Sequence, residues 1–336
     1  MERNFYIFTF FMLAIVLIGC NFFDKKGKSE NEKILKSPPF DVLTDSIRLL
    51  PDNADLYKQR AGLLSQKGFH ELATEDFIKA WSMQPDEITA TSYASNLMIT
   101  GKLNDAIDLL HQCMKMYPAN TDFKRKIAEI YVSEGKREDA LALYDEMIKK
   151  DSNDFEAWYE KGTLLAALAD TTQAVADLEK SYSIQPLQLS GLALANLYAE
   201  TKNKKTLSLC DALLKADSTG ELIDAVFLKG VYYSNTNDGQ NAIAQFDQCI
   251  KMDWKFTDAY IEKGILFIEQ NRPQEAITTL QLATTVSNTD ADVYYWLGRA
   301  YEAAGNKEEA LNNYIRASQL DRNFAEAKEG IKRMRS

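Results

Sequence analysis

Helix-breaking residues are scarce in this sequence, with 7 prolines and 15 glycines among 336 residues. A chain of many short strands and tight turns needs more of both, so the composition favours helices. Histidine is scarcer still. The two present are His70 and His111, and neither sits in a complete catalytic or metal motif. "HELAT" at 70–74 begins like the zinc-protease H-E-x-x-H, but Thr74 stands where the second histidine must be. No G-x-x-x-x-G-K-[ST] and no G-x-G-x-x-G occurs, so a nucleotide phosphate has no cradle. "SNTNDGQ" near residue 234 lacks the ligand spacing and closing Glu of a calcium loop and reads as a turn. The expectation is a protein that is not an enzyme, with no catalytic residue, no metal, no cofactor and no small-molecule substrate. Positive charge is also in short supply. Against 49 acidic residues stand 39 Lys and Arg, a net charge of −10, which excludes a nucleic-acid binder and an electrostatic grip on anionic lipid.

A long hydrophobic run is missing too. The longest, Phe5 to Ile18 interrupted at Thr9, falls short of the roughly 20 residues that span a bilayer. It has the length of a signal-peptide core and ends in Leu17-Ile18-Gly19-Cys20. That ending resembles the bacterial lipobox. The resemblance implies a signal peptide over 1–19, cleavage before Cys20, and diacylglycerol and palmitate on that cysteine. Several acyl chains, at about 0.8 kcal/mol per buried methylene, make such an anchor permanent. Asn21 is not the Asp that retains some lipoproteins at the inner membrane, so the implied place is the outer membrane of a bacterial cell envelope, facing either side. Residues 20–39, charged and closed by Pro38-Pro39, read as a flexible tether.

What the remainder does contain is a repeat. With 46% hydrophobic residues it is able to bury a core, and small side chains recur every 33 to 35 residues. One column is Ala61, Ala94, Ala128, Gly162, Ala195, Gly230, Gly264 and Gly298. Twelve positions on, near enough, comes Ala73, Ala106, Ala140, Ala174, Thr206, Ala242, Ala276 and Ala310. Large residues follow the first column by three and the second by four, which puts them on the same helical faces. Gly68, Gly101, Gly135, Asn237, Asn271 and Gly305 fall between, where a left-handed residue ends a helix. Pro85, Pro118 and Pro186 close units in which a second helix stops.

Trp158, Gly162, Leu165, Ala174, Leu178 and Pro186 fill the W, G, Y, A, F and P slots of the tetratricopeptide repeat (TPR) signature, with Lys161 in the Leu slot. The chain resembles that family over eight units, residues 54–324, flanked by a half-repeat helix over 40–53 and a capping helix over 325–336. The implied fold is all-α, a right-handed α-solenoid of stacked helix–turn–helix units. The fifth unit departs most: its turn "TKNKK" is short, and Thr206 and Cys210 replace Ala and an aromatic, so irregularity is expected over 200–222. Cys113, Cys210 and Cys249 occupy core slots. A Cys210–Cys249 bridge would suit an exported protein, but packed helices lie about 8–10 Å apart, too far for easy bridging.

In the family the first helices line a concave face that binds peptides or partner helices. The matching positions here are Tyr159, Leu192, Asn196, Phe227, Val231, Ile261, Ile265, Ile268, Tyr295 and Arg299. They form a candidate groove for an apolar segment, or else a surface the superhelix buries against itself. Phe227, Ile261, Ile265 and Tyr295 read as a ladder without core duty. Units one to four carry Lys58, Arg125 and Glu129 at such places, and the Lys and Asn pattern that clamps a terminal carboxylate in some relatives is absent. The implied role is a scaffold or adaptor, with a holder of transient clients or an accessory factor of an envelope enzyme as alternatives. The anchoring step is directly testable: Cys20→Ser is expected to abolish metabolic labelling with a radioactive fatty acid, and labelling that persists undiminished would refute the lipoprotein reading.

Overall fold

The computed structural model describes residues 30–336, so the signal peptide and Cys20 lie outside the described residues. Two compact units divide the chain, one ending at Met147 and the other running Ile148–Ser336. Among the described residues both are built of helices alone. The first unit opens with α1 (30–35) and α2 (Asp41–Leu49). Three helix pairs follow: α3 (Ala54–Gln66) with α4 (His70–Met83), α5 (Glu87–Ile99) with α6 (Leu103–Met116), and α7 (Asp122–Ser133) with α8 (Arg137–Lys150).

The second unit holds five pairs and a closing helix. The first helices are α9 (Phe155–Ala167), α11 (Gln188–Glu200), α13 (Ile223–Asn235), α15 (Thr257–Glu269) and α17 (Ala291–Ala303). Their partners are α10 (Thr171–Ile184), α12 (Lys205–Ala216), α14 (Gly239–Met252), α16 (Pro273–Val286) and α18 (Lys307–Leu320), and α19 (Ala325–Arg335) ends the chain. Within each unit a helix packs on its neighbours in sequence, and first helices also touch the first helices of adjacent pairs. This is an α-solenoid arrangement, in which each pair buries its apolar face only against the pairs beside it.

Both small columns are buried without exception, and so is the large residue four positions after the second column. The four glycines show why that column stays small. A Cβ at Gly264 would stand 2.6 Å from Leu280 Cγ, at Gly230 2.6 Å from Phe246 Cε1, at Gly298 2.8 Å from Tyr314 Cδ1, and at Gly162 2.9 Å from Leu178 Cγ. In these four pairs the first helix therefore meets the large side chain of its own second helix at van der Waals contact, and a bulkier residue would wedge the pair apart.

The turns repeat as faithfully. In every pair a residue with positive φ ends the first helix: Gly68, Gly101, Gly135, Ala169, Lys202, Asn237, Asn271 and Gly305. The next residue's N–H closes a bond to the carbonyl five back, as from Lys102 to Leu97 (2.9 Å), Asp170 to Leu165 (3.0 Å) and Arg272 to Phe267 (2.8 Å). That is the Schellman closure. Ala169 and Lys202 were not expected to take this conformation, since a Cβ there costs about 1–2 kcal/mol. The pair geometry imposes it all the same.

Irregularity does centre on the fifth pair. There α12 has 12 residues where every other second helix has 14. Thr206 is tolerated in the small column because its hydroxyl donates to Asn203 O at 2.7 Å, leaving no unpaired polar group in the core. Cys113, Cys210 and Cys249 are buried and unbridged. Burial pushes their thiols up, to about 11 for Cys113 and about 12 for the other two, so they are inert packing residues.

The tether reading needs correction over its last ten residues. Ile34, Leu35 and Phe40 pack on the core of the first pair, Phe40 edge-on to Phe69 at 5.6 Å. A charged composition hid Ile34 and Leu35, while Phe40 lies in the segment expected as the half-repeat helix. Arg60 ties α2 to the same pair: its guanidinium donates twice to Asp76 at 2.7 Å and once to Thr44 Oγ1 at 3.0 Å. "HELAT" finds a structural use as well. Asn96, from the second pair, donates to His70 O (2.8 Å) and Thr74 Oγ1 (2.7 Å), and its Oδ1 lies 3.0 Å from His70 Nδ1.

Two outcomes are expected. Gly264→Leu should cost about 1–3 kcal/mol through overpacking on Leu280. Hydrogen exchange should show the damage concentrated in α13 to α18, and uniform loss of protection along the chain would contradict nearest-neighbour stacking. Ala169→Gly should instead stabilise by about 1 kcal/mol, read as a rise in melting temperature, because glycine removes the Cβ strain.

Candidate protein-binding groove

All ten expected groove residues fall on the first helices of the second unit. On α15 the offsets of three, four and seven put Asp258, Ile261, Glu262, Ile265 and Ile268 along one stripe. Equivalent stripes carry Asp224, Phe227 and Val231 on α13, and Asp292, Tyr295 and Arg299 on α17. Contacts of α13 with α15 and of α15 with α17 set these stripes side by side.

The ten residues do not share one environment. Tyr159, Leu192, Asn196, Phe227, Val231, Ile261, Ile265, Ile268 and Arg299 are half-buried, whereas Tyr295 is only 9% exposed. Its ring packs on Phe324 (5.0 Å), Trp296 (5.2 Å) and Tyr314 (5.8 Å). Phe227 likewise meets Phe256 (5.3 Å) and Phe246 (5.7 Å). These two rings therefore do have core duty, contrary to the ladder reading. The cause lies one turn along the helix. Gly298 and Gly230 let Tyr314 and Phe246 come close, and the aromatic three residues earlier packs on the same ring. Ile261 contacts the core around Leu280, Leu297 and Tyr260. Ile265 belongs to no core cluster among the described residues and is the most clearly unpartnered aliphatic of the stripe.

Toward the C-terminal ends of these helices the face turns polar. Asn196 donates to Glu200 at 2.8 Å. Arg299 donates to the Tyr295 hydroxyl at 3.2 Å and lies 5.6 Å from the Trp296 ring centre. With Ile268, Glu302, Ala303 and Arg333 it lines a depression of about 390 Å³. Glu302 receives two bonds from Arg333, at 2.9 and 3.0 Å, and one from the Tyr314 hydroxyl. The Arg333 hydrogen bonds hold its carboxyl below the usual range. Of the polar residues in the first unit, Lys58 is bonded to Asp86 (2.8 Å) and Asp55 (3.2 Å), and Arg125 is buried against Asp122 (2.9 Å).

Sequence reading passed over the N-terminal ends of the same stripes. Asp224, Asp258, Asp292 and Glu326 are spaced 34 residues apart, on α13, α15, α17 and α19. Partial burial first, then Asp290 and Asp224, push the Asp258 carboxyl up. Glu262 is raised by burial, then by Asp258 and Glu269, and Asp292 by burial, then by Asp290, Asp258, Asp321 and Glu326. A carboxylate whose folded pKa is raised stabilises the fold at low pH and loses that contribution as pH rises through the raised value. At neutral pH Asp258, Glu262 and Asp292 have therefore lost that contribution, although acids in a first turn ordinarily favour a helix. The signal that would have found it was the same 34-residue spacing that revealed the small columns.

Among the described residues no group of three or more His, Cys, Asp or Glu side chains is placed to hold a metal ion. No described helix is long and apolar enough to cross a membrane.

Known proteins with the same features are repeat proteins. The chain is 25% identical over 174 residues to anaphase-promoting complex subunit 7 of Arabidopsis thaliana, covering 51% of this chain and 30% of that protein. It is 22% identical over 225 residues to human DnaJ homolog subfamily C member 3, covering 67% and 41%. The chain thus spans less than half the length of these relatives. Among solved structures, a tetratricopeptide repeat protein from Parabacteroides merdae superposes with TM-score 0.61 at 18% identity, covering 74% of this chain and 98% of that one. PilW, a type IV pilus biogenesis factor, gives 0.54 at 16% identity, covering 65% and 100%. Two family models, both described as tetratricopeptide repeat, match residues 97–168 and 267–332, and residues 155–186 and 223–253. These matches together cover more than half of the chain, and they fall on the helix pairs and buried columns described above: the protein belongs to the tetratricopeptide repeat family.

Proposed function

We propose that this protein is a non-catalytic scaffold, lipid-anchored in a bacterial envelope, which grips a peptide or helix of a partner protein on the first-helix face of residues 148–336. The observation that carries the reading is Ile265, half-buried, outside every core cluster among the described residues, and set between Ile261 and Ile268 on one stripe flanked by ordered polar groups. An aliphatic side chain that the repeat does not need for its own core is free to be desolvated by a partner, at roughly 1.5–3 kcal/mol for full burial. The anchor enters through the Leu17-Ile18-Gly19-Cys20 run and would hold the repeats at the membrane surface. Protein binding agrees with the family's general role in protein interaction.

The test is crosslinking in native membranes followed by affinity isolation of the tagged full-length chain. A partner captured in fixed ratio is expected, and Ile265→Ser should reduce its recovery about tenfold with little change in melting temperature. Tyr295→Ala should behave differently. Its ring is packed in the last pair, so that variant should lose about 3–5 kcal/mol of stability in the second unit. Unchanged capture by Ile265→Ser would place the binding surface elsewhere.

A further inference from the structure

Several carboxylates of the second unit are matched by a cation: Asp211 with Lys229 at 2.7 Å, Asp247 with Lys263 at 2.5 Å, Glu179 with Lys205 at 2.8 Å, and Glu302 with Arg333 at 2.9 Å. Asp224, Asp258, Glu262 and Asp292 form no ion pair with any described residue. Lys229 and Lys263 lie on the helices that carry the ladder, α13 and α15, yet both turn away to aspartates of the preceding second helices. The lysines carried by these first helices are thus spent on other aspartates, and the carboxylates of this face keep no cation of their own. There the carboxylates share a face with the unpartnered Ile265, close enough for their charges to oppose one another.

We propose that the segment seated on this face is cationic: an amphipathic stretch of a partner protein whose Lys or Arg side chains meet Asp224, Asp258 and Asp292 while its apolar side chains cover Ile261 and Ile265. The inference rests on the groove reading above and adds the chemistry of the occupant. Charge complementarity decides it. An anionic or carboxylate-terminated segment would add repulsion to a face already held apart from neutrality, whereas a cationic one relieves it and speeds encounter. The Lys and Arg spacing is set by the solenoid, since successive carboxylates come from successive first helices about 8–10 Å apart. An extended or helical segment running across the first helices meets one of these carboxylates on each of α13, α15 and α17.

A displayed library of random peptides selected on the full-length protein tests this. The selected peptides are then labelled and titrated against wild type, Asp258→Asn/Asp292→Asn and Ile265→Ser, each shown by melting to be folded. Expected are peptides rich in Lys or Arg interleaved with apolar residues. Their affinity should fall about tenfold in the carboxamide double variant at low salt, with the gap closing as salt is raised. Neutral or acidic peptides that lose affinity with Ile265→Ser but not with the carboxamides would overturn the cationic occupant and leave the groove standing. Failure to select any peptide, or peptides indifferent to Ile265→Ser, would overturn the groove reading and this proposal with it.

Discussion

Everything in the structure depends on one contact, seen at Gly162, Gly230, Gly264 and Gly298, between a small residue on a first helix and a large residue on the second helix of the same pair. At Gly264 the contact is so close that a single added carbon would sit 2.6 Å from Leu280. Holding two helices at this distance fixes how each pair presents its outer faces, which in turn fixes how the next pair docks. The Schellman turns follow from it. Two helices brought together over so short a link need a left-handed residue at the reversal, and the chain adopts one even at Ala169 and Lys202, where the side chain resists.

The same contact divides labour on the first helices. Residues that share a turn with a glycine of the column are drawn inward, as Tyr295 and Phe227 are by the aromatic rings that those glycines admit. Ile265, directly after Gly264, is half-buried and stays outside the core clusters among the described residues. Half-burial alone does not separate a structural ring from a binding aliphatic. Packing on a core cluster does: Phe227 and Tyr295 join one and Ile265 does not.

The period, the columns and six of the eight turn residues were legible in the amino-acid sequence because each is set by a local requirement: a missing side chain, a backbone angle, or an apolar residue at a helical offset. Ala169 and Lys202 were not legible, since neither has a local reason to adopt positive φ; the demand comes from the pair as a whole. Tyr295 was misjudged for a related reason. Its position matches a groove residue, and its burial arises from Phe324, a residue of the next linker that no helix pattern brings into view. Ile34 and Leu35 were hidden by charged neighbours. The ladder of carboxylates was readable from spacing, but its lack of cations became visible only when Lys229 and Lys263 were seen bonded elsewhere.

The uniformity of the turns has a consequence for how such a chain changes over time. Since every pair ends its first helix with the same backbone closure and offers its neighbour the same kind of face, the unit of permissible length change is the whole pair. Duplication or loss of a 34-residue segment leaves each remaining junction chemically familiar, while insertion of a few residues inside a helix would throw both columns out of register. The 12-residue α12 marks how much deviation a single junction absorbs. Two residues can be dropped from a second helix, and α13 still docks on it.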